Sequence, residues 1–193
     1  MGYLIVGLSA YLLGSVPFGL VMARLFGLGD IRLIGSGNIG ATNVLRTGNK
    51  LAAFLTLVLD AGKGAVAVLV ARQFGGEAFA GIAALGAMLG HLYPVFLRFK
   101  GGKGVATFLG TLLALAWPVG LAACATWLVT AILFRYSSLA ALVASALAPI
   151  YMFVWYHTHT AAMVLFLAAL IFYKHRANIR RLLTGKEPKI GQK

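Results

Sequence analysis

A chain of 193 residues that is 61% hydrophobic and only 11% charged, with a mean hydropathy of +0.90, leaves no room for a soluble domain of useful size, since soluble domains carry about 25% charged residues. Seventeen Lys and Arg against four Asp and Glu give a formal charge of +13. In a membrane chain that excess follows topology and anionic ligands, so no nucleic-acid partner is expected. The single cysteine, Cys124, lies in an apolar run, which excludes a disulfide framework and a thiolate metal cluster.

Crossing a hydrocarbon core of about 30 Å takes roughly 20 helical residues. On that ruler the chain reads as an all-α, polytopic integral membrane helix bundle, a single domain over residues 1–193 with about seven transmembrane helices. The expected spans are Tyr3–Leu28, Lys50–Gln73, Glu77–Arg98, Gly104–Trp117, Pro118–Arg135, Ser137–Tyr156 and Thr158–Lys174. Five or six crossings are the alternatives, because Gly104–Trp117 is short and its break rests on Pro118, which suits the first turn of a new helix. The first run lacks the basic segment that opens a signal peptide and is expected to stay as a span.

Cytoplasmic loops collect Lys and Arg. With the amino terminus outside and seven alternating crossings, all but two of the 17 Lys and Arg fall on one side; Arg72 alone goes to the other, and Lys63 stays in mid-span. The carboxyl terminus is then cytoplasmic, and so are the polar segments Gly29–Asn49, Phe99–Lys103 and His175–Lys193. Any active site is expected on that face.

The first of these segments contains GSGNIGATNVLR, Gly35 to Arg46. It satisfies GxGxxG, yet dinucleotide binding demands a preceding strand, and here an apolar helix precedes it. What remains is an anion site: Gly35, Gly37 and Gly40 expose backbone N–H groups, and Ser36, Asn38, Thr42 and Asn43 add neutral donors beside Arg46. A flexible polar loop is the plainer alternative.

The second, GHLYPVFLRFKGGKGVAT from Gly90 to Thr107, places a glycine-rich turn before a helix start, with Lys103 adding a formal charge. Leu97 stands where Walker A requires glycine, so nucleotide hydrolysis is not implied. Arg98 and Lys100 are explained as a membrane-surface clamp of snorkelling side chains, which does not account for Gly101, Gly102 and Gly104. A shorter echo, DAGKGA, lies in mid-span at Asp60–Ala65. Asp60 and Lys63 are one helical turn apart and either pair with each other or mark a broken helix opening onto a cavity, as in transporters. His91 reads as a satisfied structural group, and His157 and His159, on the outer side, are given no catalytic role.

The last segment, KHRANIRRLLTGKEPKIG, puts His175, Asn178 and Arg181 on one helical face and Arg176 with Arg180 on another. It reads either as a basic helix resting on anionic lipid or as the closure of a pocket. Glu187 is the lone carboxylate there and is expected to form a structural ion pair.

In that order and spacing, GSGNIGATNVLR, GHLYPVFLRFKGGKGVAT and KHRANIRRLLTGKEPKIG resemble the bacterial membrane glycerol-3-phosphate acyltransferases that use acyl phosphate as donor. The resemblance implies transfer of a fatty acyl group from acyl phosphate to the 1-hydroxyl of sn-glycerol 3-phosphate, giving 1-acylglycerol 3-phosphate and phosphate, the first step of phospholipid synthesis, in the bacterial cytoplasmic (inner) membrane. It also implies functional roles for Ser36 and Arg46, glycerol-phosphate binding around Gly101, Gly102, Lys103 and Gly104, roles for His175 and Asn178, and a structural Glu187. Asp60, Lys63, His91 and Ser138 are further candidates for structural or substrate support. Partners are acyl phosphate, glycerol 3-phosphate and membrane lipid; no cofactor, metal or obligatory protein partner is expected.

The HxxxxD pattern of coenzyme-A-dependent glycerolipid acyltransferases is absent after each of His91, His157, His159 and His175, and no GxSxG elbow occurs. Acyl phosphate is a mixed anhydride with a good leaving group, so positioning and phosphate neutralisation suffice in principle. Lys103, Arg46 and backbone N–H groups are expected to hold the phosphates, with Ser36 and Asn38 or Asn43 near the carbonyl. The proton leaves through a substrate phosphate oxygen, whose second pKa of about 6 suits it, or through His175. An organophosphate transporter and an electrostatic lipid-binding scaffold are the competing function classes.

Overall fold

The computed structural model describes residues 1–156 and 160–191. His157 and His159 therefore lie outside the described residues, as does the start of the expected span Thr158–Lys174. Every regular element among the described residues is helical. The chain forms two compact units, Met1–Leu115 and Ala116–Gln192.

In the first unit the expected span Tyr3–Leu28 is not one helix: α1 (Gly2–Gly14) stops, and α2 (Phe18–Leu25) starts after Pro17. Proline lacks the N–H a continuing helix needs and disfavours helical geometry in the residue before it. After α2 comes a single 3₁₀ turn, Ile31–Leu33, and the short α3 (Ala41–Leu45).

The 43-residue α4 (Lys50–Leu92) covers both of the next expected spans. A straight helix rising 1.5 Å per residue would hold Asp60 and His91 more than about 40 Å apart; they are 3.6 Å apart. The chain reverses at Gly75 and Gly76, the latter at φ +61°, ψ −151°, a conformation essentially restricted to glycine. So α4 is a hairpin whose arms meet the two expected spans, except that the second ends at Leu92 rather than Arg98. Pro94 stops it, and a 3₁₀ turn over Val95–Leu97 follows.

Neighbouring helices approach through small residues. In α1, Gly7 and Gly14 lie against Gly86 and Ala87, and the Tyr11 carbonyl against Gly90, so α1 runs beside the second arm in the same direction. The helix α5 (Val105–Leu115) runs with the first arm: Thr107 sits by Asp60, Gly110 by Ala61, and Arg72 by Ala114. The segments 26–49 and 93–104 therefore share one end of this unit. There Leu97 packs onto a core of Met22, Ala23, Ile31, Ile39, Val44, Ala52 and Ala53.

At the opposite end, α5 stops after 11 residues, which at 1.5 Å each falls well short of a hydrocarbon core. Its last carbonyls would be costly unbonded. Arg72 supplies the donors, at 2.6 Å to the Ala114 oxygen and 3.0 Å to the Leu115 oxygen, and is itself held by Glu77 at 2.8 Å. The one basic residue expected away from the others thus has a structural task.

In the second unit, α6 (Trp117–Phe134) packs on α7 (Ser137–Tyr156), α7 on α8 (Thr160–Lys174), and α9 (Arg176–Leu183) on α7 and α8. The expected break between Trp117 and Pro118 falls one residue earlier, at extended Ala116, so that Trp117 opens α6. Among the described residues, four helical stretches are long and apolar enough to cross a membrane, five if α8 and α9, bent by 63°, count as one span. The expected seven divide α4 into its two arms and include the short α5.

Candidate active site

The GSGNIGATNVLR segment is organised by Asn43, which is 1% exposed. Its side-chain oxygen accepts from the Ser36 backbone N–H at 3.1 Å, the Ser36 hydroxyl at 3.4 Å and Arg46 Nη1 at 3.2 Å. Its Nδ2 donates to the Ile31 carbonyl at 2.6 Å. Read from sequence as one more donor for an anion, Asn43 spends both ends on the protein and fixes the two residues beside it. Gly35, at φ +53°, passes so close that a Cβ would stand 2.6 Å from Asn43 Oδ1 and from Arg46 Cδ. The loop is accordingly built rather than loose.

Ser36, Gly37 and Thr42 are exposed, and Asn38 and Gly40 half-buried. Leu28, Ile34, Gly35, Arg46, Thr47 and Gly48 line an open cleft of about 560 Å³. At the edge of this segment, Arg32 donates to Asp30 at 2.7 Å and holds its carboxyl down to about 2. The loop's one acid is neutralised locally instead of opposing an anion.

The KGGKG turn has a different logic. Its glycines are required by contact with the end of α4: the Gly102 N–H donates to the His91 carbonyl at 3.1 Å, a Cβ on Gly101 would strike that carbonyl and Pro94, and one on Gly102 would strike the His91 ring. Gly104, at φ +84°, lies under Met88. Of the N–H groups expected to face a phosphate, that of Gly102 is therefore committed to the protein. Lys103 is half-buried and separated from the start of α5 by Gly104.

Behind the turn sits the mid-span pair. Lys63 Nζ is 2.7 Å from Asp60 Oδ1, with side chains 2% and 3% exposed, and it donates also to the Val16 carbonyl at 2.8 Å. That carbonyl belongs to the break before Pro17, which explains why a lysine is buried there. Residues 60–65 are helical throughout, so the unwound segment needed by the transport reading is absent and the pairing alternative holds.

In the second unit, Glu187 collects Ser138 Oγ at 2.6 Å and Asn178 Nδ2 at 2.6 Å on one oxygen and Arg181 Nε at 2.7 Å on the other. The shared face of Asn178 and Arg181 was visible in their spacing; that Glu187 would gather both, with Ser138 from α7, was not. The tail is pinned further by Ile190 and Arg135, whose backbones pair at 2.6 Å. Burial works against the charge on Glu187, but these three donors outweigh it and hold its carboxyl below the usual range. A carboxylate held low in the folded state adds stability above its unfolded value, near 4.5, and that contribution is lost as pH falls through the lower folded value. Unfolding scans in detergent below about pH 4.5 should therefore show wild type losing more of its advantage than E187Q; parallel curves would remove Glu187 from the account.

His175 is 3% exposed, with Nδ1 2.8 Å from the Ile171 carbonyl oxygen. A carbonyl only accepts, so Nδ1 carries the proton and the basic lone pair of the neutral ring is on Nε2.

Comparison with known proteins agrees over nearly the whole chain. A family model described as glycerol-3-phosphate acyltransferase matches residues 4–185. A glycerol-3-phosphate acyltransferase of Jannaschia sp. is 69% identical over 96% of this chain and 91% of its own; one of Rhodospirillum rubrum is 64% identical over 96% and 90%. Crystal structures of PlsY (YgiH), an integral membrane glycerol 3-phosphate acyltransferase, superimpose with TM-scores of 0.94 for the glycerol 3-phosphate form and 0.91 for the lysophosphatidic acid form. Their sequence identities are 43% and 42%, and each comparison covers 99% of this chain and 96% of the other.

Proposed function

Because the chain belongs to the PlsY-type glycerol-3-phosphate acyltransferase family, we propose that it transfers a fatty acyl group from acyl phosphate to the 1-hydroxyl of glycerol 3-phosphate. The observation that carries this reading is the pairing, at one end of the first unit, of a fixed Arg46–Ser36 loop with the Lys103 turn. Both proposed substrates carry phosphate, and that end offers two separate cationic segments.

The hydroxyl oxygen attacks the acyl carbonyl carbon, the bond from that carbon to the phosphate oxygen breaks, and inorganic phosphate leaves with the electron pair. Arg46 neutralises the phosphate charge that grows as the bond breaks, which is usually the largest contribution in a site of this kind, and Lys103 holds the phosphate of glycerol 3-phosphate. Ser36, oriented by Asn43, serves the reacting carbonyl. The hydroxyl proton passes to a substrate phosphate oxygen, with His175 Nε2 as the alternative acceptor. The site faces the cytoplasm of a bacterial inner membrane, reached by seven crossings with the amino terminus outside. Fifteen basic residues on one side against one on the other support that arrangement.

The test is purified protein in detergent with radiolabelled glycerol 3-phosphate and either acyl phosphate or acyl-coenzyme A. The expected result is lysophosphatidic acid with one phosphate released per turnover, from acyl phosphate only. Product from acyl-coenzyme A alone, or none from either, would refute the donor assignment. In the same assay H175A decides the proton's route: a loss of only about tenfold excludes His175 as general base, which contributes roughly a hundredfold or more.

A further inference from the structure

We propose that His91 is a positioning residue for glycerol 3-phosphate: it sets the height of the KGGKG turn, and with it the place of Lys103, from a buried anchor in α4. The inference rests on reading that turn as a glycerol-phosphate cradle.

Three observations carry it. The turn is seated on His91 twice, by the Gly102 N–H bond to the His91 carbonyl at 3.1 Å and by contact of Gly102 with the imidazole. The His91 side chain in turn is 4% exposed, with Nδ1 3.6 Å from Asp60 Oδ1, the oxygen that holds Lys63 at 2.7 Å. On the far side of Lys103, Thr107 Oγ1 donates to the Asp60 backbone carbonyl at 2.9 Å. Lys103 thus lies between two attachments to the same point of α4. Lys63 extends the anchor to Val16 at the break of the first span.

The geometry supplies a specific test. A Cβ on Gly102 would meet the ring of His91 and nothing nearer: its three closest atoms are Nε2, Cδ2 and Cε1, the last two at 3.1 Å. In an otherwise normal chain G102A therefore pushes the turn off its seat, and removing the ring makes room for the added methyl.

The full chain in detergent is assayed for KM and kcat toward glycerol 3-phosphate, with KM for acyl phosphate as control and thermal unfolding to confirm that each variant is folded. H91A and G102A are each expected to raise KM for glycerol 3-phosphate about tenfold or more, since displacement of a binding group by about 1 Å has effects of that order, while KM for acyl phosphate stays within about twofold. The double variant H91A/G102A is expected to be no worse than H91A alone. A mere loss of stability would not produce this selective, non-additive pattern.

H91A with KM for glycerol 3-phosphate unchanged, or a double variant whose KM is the product of the single effects, overturns the proposal. K103A separates it from the reading beneath it: normal kinetics for K103A overturns the cradle itself, whereas a raised KM for K103A beside an unaffected H91A leaves the cradle and removes His91. Should H91A fail to fold, H91N, which withdraws the ring from Gly102 but keeps a polar group toward Asp60, replaces it in both arms with the same two outcomes.

Discussion

Replacing Arg46 with alanine is expected to lower kcat/KM for glycerol 3-phosphate by about 10²–10³, the usual cost of removing one preorganised donor from a site where anionic charge develops. Two effects add. In the proposed mechanism the guanidinium is a direct counter-charge for phosphate, and in the fold its Nη1 also completes the set of donors around Asn43 Oδ1 that holds Ser36. R46K keeps the charge but not the planar fork, so it is expected to recover only part of the loss. Thermal unfolding should change little, because Asn43 keeps its bond to Ile31 and Val44 and Ile31 remain fully buried. Steady-state turnover with both substrates varied checks this; a variant within about threefold of wild type would show that the loop does not serve the phosphate.

What the sequence announced and what it hid divide by range. Helix starts at Lys50 and Ser137 were legible, and the stop after Phe134 to within one residue of the expected Arg135, because local apolar runs and charges mark them. The reversal at Gly75–Gly76 was legible as a gap between two runs, since a glycine pair in an apolar stretch marks a turn. The break at Pro17 was equally local, yet the uninterrupted apolar run around it concealed it. The remainder depended on contacts far along the chain. Nothing near Gly102 in sequence identifies the His91 ring as the reason for a glycine, and nothing near Lys63 identifies the Val16 carbonyl as its acceptor.

The same distinction alters how the motif residues are understood. Density of donors in GSGNIGATNVLR and of glycines in KGGKG reads as a surface open to anions, but buried polar groups must find partners inside the protein first. Asn43 and Gly102 satisfy their neighbours, so in the proposed reaction the two segments act through Arg46, Ser36 and Lys103. Asn178 follows the same rule in the second unit, where its amide serves Glu187.

Substituting Lys63 with alanine should produce the largest loss of stability of any single change considered, about 3–5 kcal/mol, the range found when one member of a buried ion pair is removed and the other is left uncompensated. Two groups lose their donor at once: the Asp60 carboxylate, 3% exposed, keeps only His91 at 3.6 Å, and the Val16 carbonyl at the Pro17 break loses its bond to Lys63. Against a total stability of about 5–15 kcal/mol, that is enough to lower the yield of folded protein sharply. The double variant Asp60→Asn/Lys63→Gln removes both charges and retains a donor on the Val16 side, so it should cost less than K63A alone. Thermal unfolding and the folded fraction on size-exclusion chromatography in a common detergent measure both. If K63A is as stable as wild type, or if the neutral pair is the less stable of the two, the lysine is not there to close the break in the first span, and its burial needs another cause.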